Sequence, residues 1–213
     1  MGIKSLIIIA LILFIGIFIF TRLDSTEYIK SNVDGKYYLV RSHFKNKQEV
    51  ADSLSNISDQ LHELVKYMYD NKLPDNERCR ILFNRFKNTQ IREMGALENA
   101  TAFTVNKGDE IHICARNEKN NNELETYNTM MFVALHELAH IMSDSYGHGD
   151  EFKCNFQILI YLASCLGIYT PQNFGRNPEN YCGTKIVSTP YMFDSDQHKI
   201  CNEIKNGNFT CII

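Results

Sequence analysis

Residues 132–152 read FVALHELAHIMSDSYGHGDEF, and both the fold and the chemistry turn on them. His136 and His140 stand four residues apart. On a helix that spacing puts them on one face, one turn above the other. Both imidazoles can then reach a single zinc ion at ~2.0–2.1 Å. Glu137 is offset by roughly 100° around the helix. It is placed to take a proton from water at the metal rather than to bind the metal, the division of roles on an H-E-x-x-H helix. The flanks agree: Phe132 to Leu135 and Leu138-Ala139 carry no charge, whereas a solvated His-Glu-His face would have polar neighbours. Met131, Leu135, Leu138 and Met142 form an apolar stripe. Asn128 or Thr129 is expected to cap the helix start, and Gly147 to end the helix in a left-handed conformation.

A catalytic zinc takes three protein ligands and keeps a fourth position open. His148 follows the helix-breaking Gly147, and a chain reversal there swings it back to the metal. Glu151 and Asp150 are the rival third ligands, and a solvated loop histidine is the alternative without a metal. Downstream, Phe152, Phe156, Leu159, Ile160, Ala163 and Leu166 share one face of a second helix that stops at Gly167. Beyond Pro171 the pattern weakens, and residues 190–213 are expected to be a tail without regular elements.

Upstream, Ala102 to Asn106 and Glu110 to Ala115 flank Lys107-Gly108-Asp109 and read as a β-hairpin. His112 within it suits a cross-strand or surface role. Asn117 to Asn122 form a polar loop. Val50, Leu54, Ile57, Leu61, Leu64 and Met68 recur at helical spacing behind Asn46 and Glu49, which resemble a capping box. That helix carries His62 and Glu63, but Lys66 occupies the place of a second metal histidine, so a solvated face is expected. Tyr37 to Val40 reads as a strand after the Asp34-Gly35 turn. At the N-terminus, Ser5 to Phe20 (SLIIIALILFIGIFIF) is uncharged between Lys4 and Arg22. It is expected to be a single-pass transmembrane helix, uncleaved because no small-residue cleavage site follows it. The side of the membrane is left open. The expected organisation is a membrane anchor over 1–22, a linker over 23–36, a catalytic domain over 37–189 and the tail.

The whole chain has 213 residues, a net charge of -3 and no clustered basic run, so nothing points to a nucleic-acid partner. Its seven cysteines include no C-x-x-C pair, which argues against a cysteine zinc site. The odd count leaves at least one thiol free, and a reduced set and a disulfide framework both fit.

His136-Glu137-Leu138-Ala139-His140, then Gly147-His148, then Phe152 resembles the Wss1-like (WLM) and SprT-like zinc metallopeptidases. The wider stretch from about Tyr37 to Cys182 also resembles uncharacterised proteins of large DNA viruses and algae. The first resemblance implies an α+β, zincin-like domain, with a small sheet beside the metal helix. It also implies zinc held by His136, His140 and His148, with Glu137 as catalytic base. The chain departs from that family in its expected anchor and its lack of a basic tail, so a role on DNA is not expected. The expected activity is hydrolysis of peptide bonds in a protein or peptide substrate near a membrane. Substrate would be bound along the strand Glu110 to Ala115, with Tyr146 or His198 as oxyanion partner. The alternatives are a non-catalytic membrane protein with a structural zinc and a zinc hydrolase of small molecules.

Overall fold

The computed structural model describes residues 3–23, 25–95, 98, 100–117 and 123–211. Along the chain these form α1 (Ile3–Leu23), β1 (Thr26–Lys30), β2 (Tyr37–Arg41), α2 (Lys47–Asn71), α3 (Asn76–Phe86), β3 (Gln90–Glu93), β4 (Ala102–Val105) and β5 (Glu110–Ile113). They continue with β6 (Arg116–Asn117), β7 (Glu123–Leu124), α4 (Tyr127–Met142), α5 (Asp150–Cys165), β8 (Glu179–Tyr181), β9 (Thr184–Ile186) and α6 (Gln197–Lys205). The fold is mixed α/β, with its strands in four small sheets among the described residues. Most of the polar loop expected at 117–122 lies outside them.

The N-terminal expectation is corrected. The apolar run does form a helix, α1, and Leu6, Ile7, Ile12 and Phe14 on it are exposed. Yet among the described residues no helix is long and apolar enough to cross a membrane. The uncharged run of 16 residues reaches only ~24 Å at ~1.5 Å per residue, against a hydrocarbon core of ~30 Å. The fold class headed by a transmembrane helix, and the single-pass membrane localisation, fall with it.

The expected linker over 23–36 is also corrected, because β1 lies inside it. β1 pairs antiparallel with β2, from Thr26↔Arg41 to Lys30↔Tyr37. The connection closes at Gly35, whose φ is 72°. Asp52 on α2 clamps it by accepting from the Ser31 hydroxyl (2.8 Å) and the Asn32 amide (2.7 Å). β1 is short and carries Glu27 and Lys30, so it gives little strand signal of its own.

On α2, Val50, Leu54, Ile57, Leu61, Leu64 and Met68 are all buried, as the spacing predicts. Asn46 does hold the N-cap position, but its side chain does not cap the helix. Its side-chain oxygen Oδ1 accepts from Arg116 Nε at 2.8 Å instead. Arg116 also pairs with Glu93 in full burial, and Glu93 accepts from the Arg41 amide at 2.7 Å. One buried carboxylate thus joins β2, β3 and β6. Helix α3 follows, started by Asp75, whose carboxylate accepts from the Glu77 and Arg78 amides.

The hairpin expected around Lys107-Gly108 is β4 and β5, paired from Ala102↔Ile113 to Val105↔Glu110. β5 is not an edge strand, however. β3 pairs with it in parallel on the other side, giving the order β3-β5-β4. Substrate addition along Glu110 to Ala115 is therefore excluded, and the edge beside α4 is β4. The tail is corrected as well: α6 buries Ile200 and Ile204. Disulfides Cys165–Cys201 and Cys154–Cys211 tie the C-terminal region to α5. A third, Cys114–Cys182, joins the end of β5 to the β8–β9 turn, and Cys79 is a buried free thiol.

This pairing has a direct consequence for labelling. Unreduced native protein should take up no thiol reagent, and the same protein unfolded without reductant should take up one equivalent, at Cys79. Mass spectrometry of the labelled chain checks this; labelling of any of the other six cysteines would refute the framework.

Candidate metal centre

Thr126 caps α4, its hydroxyl accepting from the Thr129 amide at 3.3 Å. The start lies two or three residues before the expected cap. Asn128 is used elsewhere, exchanging hydrogen bonds with the Thr170 backbone, and Thr129 donates to Glu179 at 2.7 Å. α4 ends at Met142, before the expected Gly147. The left-handed Gly147, at φ 79°, instead bends the loop that returns the chain to α5. Between Thr129 and Met142 every residue is buried except His136 and His140. The two histidines are where this stretch of the helix reaches solvent.

The return loop is held by polar ties. Lys107 Nζ donates to the carbonyls of Ser143 (2.7 Å), Asp144 (3.1 Å) and Ser145 (2.7 Å). Arg85 donates to the carbonyls of Ile141 (2.9 Å) and Ser143 (3.1 Å) and pairs with Asp144. Carbonyls at a helix C-terminus lack intrahelical donors and favour cations, so both side chains satisfy a real need. From the other side, the Glu151 carboxylate accepts from the amides of Asp144 (2.7 Å) and Ser145 (2.9 Å).

Held in this way, the loop places His148 Nε2 at 3.0 Å from His136 Nε2 and 3.2 Å from His140 Nε2. The three form a potential metal-binding group. A tetrahedral ion at ~2.0–2.1 Å would hold its ligand nitrogens about 3.3 Å apart, so the spacing fits. Burial, reinforced by the neighbouring imidazoles, pushes His136 down to about 3 and His140 down to about 4. Both are therefore neutral at pH 7, the form that donates a lone pair. The Phe152 ring packs against all three imidazoles, with centroids at 4.8, 4.3 and 4.6 Å from His136, His140 and His148.

Glu137 stands beside this cluster. Its carboxylate accepts from the Thr104 hydroxyl on β4 at 2.9 Å. Burial raises its pKa to about 7, with the Thr104 bond acting the other way. Two cavities flank it, of about 580 Å³ on the α5 side and about 410 Å³ along β4, and His136 and Glu137 line both.

The other sequence candidates are placed apart from the nitrogens. Glu151 is turned to the loop amides, and Asp150 is exposed and paired with Lys153. Tyr146 is 88% exposed, with Lys107 Nζ 4.4 Å from its ring centroid, at the rim of the smaller cavity. His198 sits on α6 and lines neither cavity. His112 is buried between Glu98 and Glu110, and His62 bonds the Ser58 carbonyl within α2. Thr104, Lys107 and Arg85 were not singled out from the sequence. Each looks ordinary in its own segment, and only the tertiary approach of β4 and α3 to α4 gives it a task.

Titration with Zn2+ or Co2+ should find one tight site, and His148→Ala should lose most of that affinity. Lys107→Met should weaken binding ~10–100-fold by freeing the loop, the usual scale for a supporting group. Competition against a chelator measures both. Unchanged affinity in His148→Ala would exclude it as a ligand.

The chain is 34% identical over 168 residues to uncharacterized protein R325 of Acanthamoeba polyphaga mimivirus, covering 76% of this chain and 83% of that one. It is 35% identical over 91 residues to uncharacterized protein 136R of Invertebrate iridescent virus 6, covering 42% and 49% of the two chains. It is also 38% identical over 101 residues to uncharacterized protein 042R of Invertebrate iridescent virus 3, covering 46% and 57%. No family model matches the chain, and no solved structure matches it significantly. By the extent and identity of the first of these alignments, the chain belongs to the family of the mimivirus protein R325.

Proposed function

We propose that the chain is a zinc-dependent metallopeptidase, with zinc held by His136, His140 and His148 and Glu137 as its general base. The observation that carries this reading is the convergence of three imidazole nitrogens next to a buried carboxylate that is not one of their number. A site that only stapled the fold would have no use for that carboxylate or for the open space on both sides of it. The likeness of the motif to Wss1-like and SprT-like enzymes supports the same reading.

Zinc bound there supplies Lewis acidity, acidifying water and polarising a carbonyl oxygen. The chain's own groups do the rest. Glu137 takes the proton from the attacking water and passes it to the leaving amine. The Thr104 hydroxyl fixes the carboxylate in one rotamer, so the base need not search for its geometry. Phe152 and Phe156 pack on the His136 ring and make that flank of the site apolar. An extended peptide can add to the outer edge of β4, whose other edge is already taken by β5.

Glu137→Gln keeps the shape of the side chain and removes the base. Zinc should stay bound while cleavage of an unfolded protein falls ~10²–10⁴-fold. Equal cleavage by this variant would refute the mechanism. Zinc binding without any Glu137-dependent hydrolysis would point to a structural metal.

A further inference from the structure

We infer that the 580 Å³ cavity beside His136 is a subsite for one large apolar residue of the peptide, aromatic by preference, and that its mouth disfavours a basic residue. The inference rests on the peptidase reading and names the substrate class for it.

The walls carry the argument. Phe132, Phe152, Phe156, Tyr181, Ile186 and Val187 line the cavity, which opens directly onto His136 and Glu137. A group bound there lies next to the atoms that would cut the chain. Its size falls in the range of pockets that enclose small ligands, so a phenyl or indole ring fits without rearrangement. The rings are already set at angles to one another: Phe132 and Phe156 meet at 5.3 Å and 59°, and Phe156 stands edge-on to His136 at 5.2 Å and 80°. A ring entering the cavity beside them can meet faces and edges together, the arrangement aromatic pairs prefer.

Away from Glu137 itself, the charged groups along the walls are positive. Lys153 and Lys185 line the cavity, and among the described residues Glu137 is the only carboxylate that does. Lys153 is partly offset by Asp150 at 3.2 Å, whereas Lys185 is exposed on β9. A lysine or arginine side chain entering here would meet like charge and apolar walls together, and neither repays its desolvation.

The wall formed by residues 184–190 is not a loose flap. Its root is tied to the sheet by Cys114–Cys182 and by the Tyr181 hydroxyl, which donates to the Cys114 carbonyl at 2.5 Å. Its far end is held by Gln157, which donates to the Pro190 carbonyl at 3.0 Å. A pocket fixed at both ends can discriminate between side chains, where a floppy one would close around any of them.

The test has two arms. The zinc-loaded full chain is given a library of unfolded peptides, and cleavage sites are read by mass spectrometry, with Glu137→Gln as the blank. Phe, Tyr or Leu should dominate one position next to the cut bond by ~10–200-fold over Ala, and Lys and Arg should be depleted there. Val187→Asp places a carboxylate in the exposed part of the wall, and it should raise acceptance of Lys and Arg at that position about tenfold. In the second arm, zinc-loaded Glu137→Gln is titrated with acetyl-Gly-Ala-Phe-Ala-Gly-amide and with its Ala counterpart. The Phe peptide should bind at least about tenfold tighter. Glu137-dependent cleavage with no apolar preference would overturn the subsite and leave the peptidase reading standing. Absence of any such cleavage would overturn the peptidase reading, and equal binding of the two peptides would overturn the subsite by itself.

Discussion

The burial of α4 is the constraint on which the rest of the structure depends. Apart from its first turn, only His136 and His140 on this helix escape burial. Leu135, Leu138 and Ile141 are fully enclosed, and replacing a side chain of that kind by alanine costs ~2–5 kcal/mol. Turning the helix by one residue would rotate it by roughly 100°. That would carry apolar side chains into the opening and drive both histidines into the core. The orientation of the two imidazoles is thus fixed by hydrophobic packing on the opposite faces, before any metal arrives.

His148 reaches the same point by different physics. Its loop has little apolar surface to bury, so its place is set by polar ties from three directions. Lys107 comes from the β4–β5 turn, Arg85 from α3, and Glu151 from the first turn of α5. Phe152 then fills the space beneath the three rings. The cluster therefore combines two imidazoles on a rigid element with a third on a tethered one. Glu137 belongs with the rigid pair, and Thr104 settles its rotamer from the sheet.

Much of this was legible in the sequence, for physical reasons that differ between elements. The helical spacing of α2 and α5 and the turn chemistry at Lys107-Gly108 are local signals, and they place those elements correctly. The histidine pair is local in the same sense: four residues apart on α4, both rings fall on one face. The boundaries of α4 were less legible: Thr126 outcompetes Asn128 and Thr129 because those two side chains are engaged by the segment around Thr170 and Glu179. β3 was invisible, since its parallel partner β5 lies about twenty residues on and no short turn announces the pairing. β1 falls within the expected linker because a five-residue strand with two charges carries almost no pattern. The apolar run at the N-terminus gave a strong helical signal but an overread length. The cysteine spacing carries no pairing pattern, so nothing in the sequence marks the region of α6 as bonded to α5.

Those bonds impose an order of events on a chain made from one end to the other. Cys154 and Cys165 both lie on α5, and each waits for a partner that comes later, 57 residues on for the first and 36 for the second. Cys114 waits 68 residues. Just before residue 182 is added, the histidine helix and its return loop are complete while Cys114, Cys154 and Cys165 are all still unpaired. A divalent metal ion met in that interval would find soft thiolates as well as imidazoles. Closing the bridges withdraws six of the seven thiols and leaves only Cys79, which is buried. For a metal held by the three imidazoles, oxidation would therefore narrow the choice of ligands as well as staple the fold.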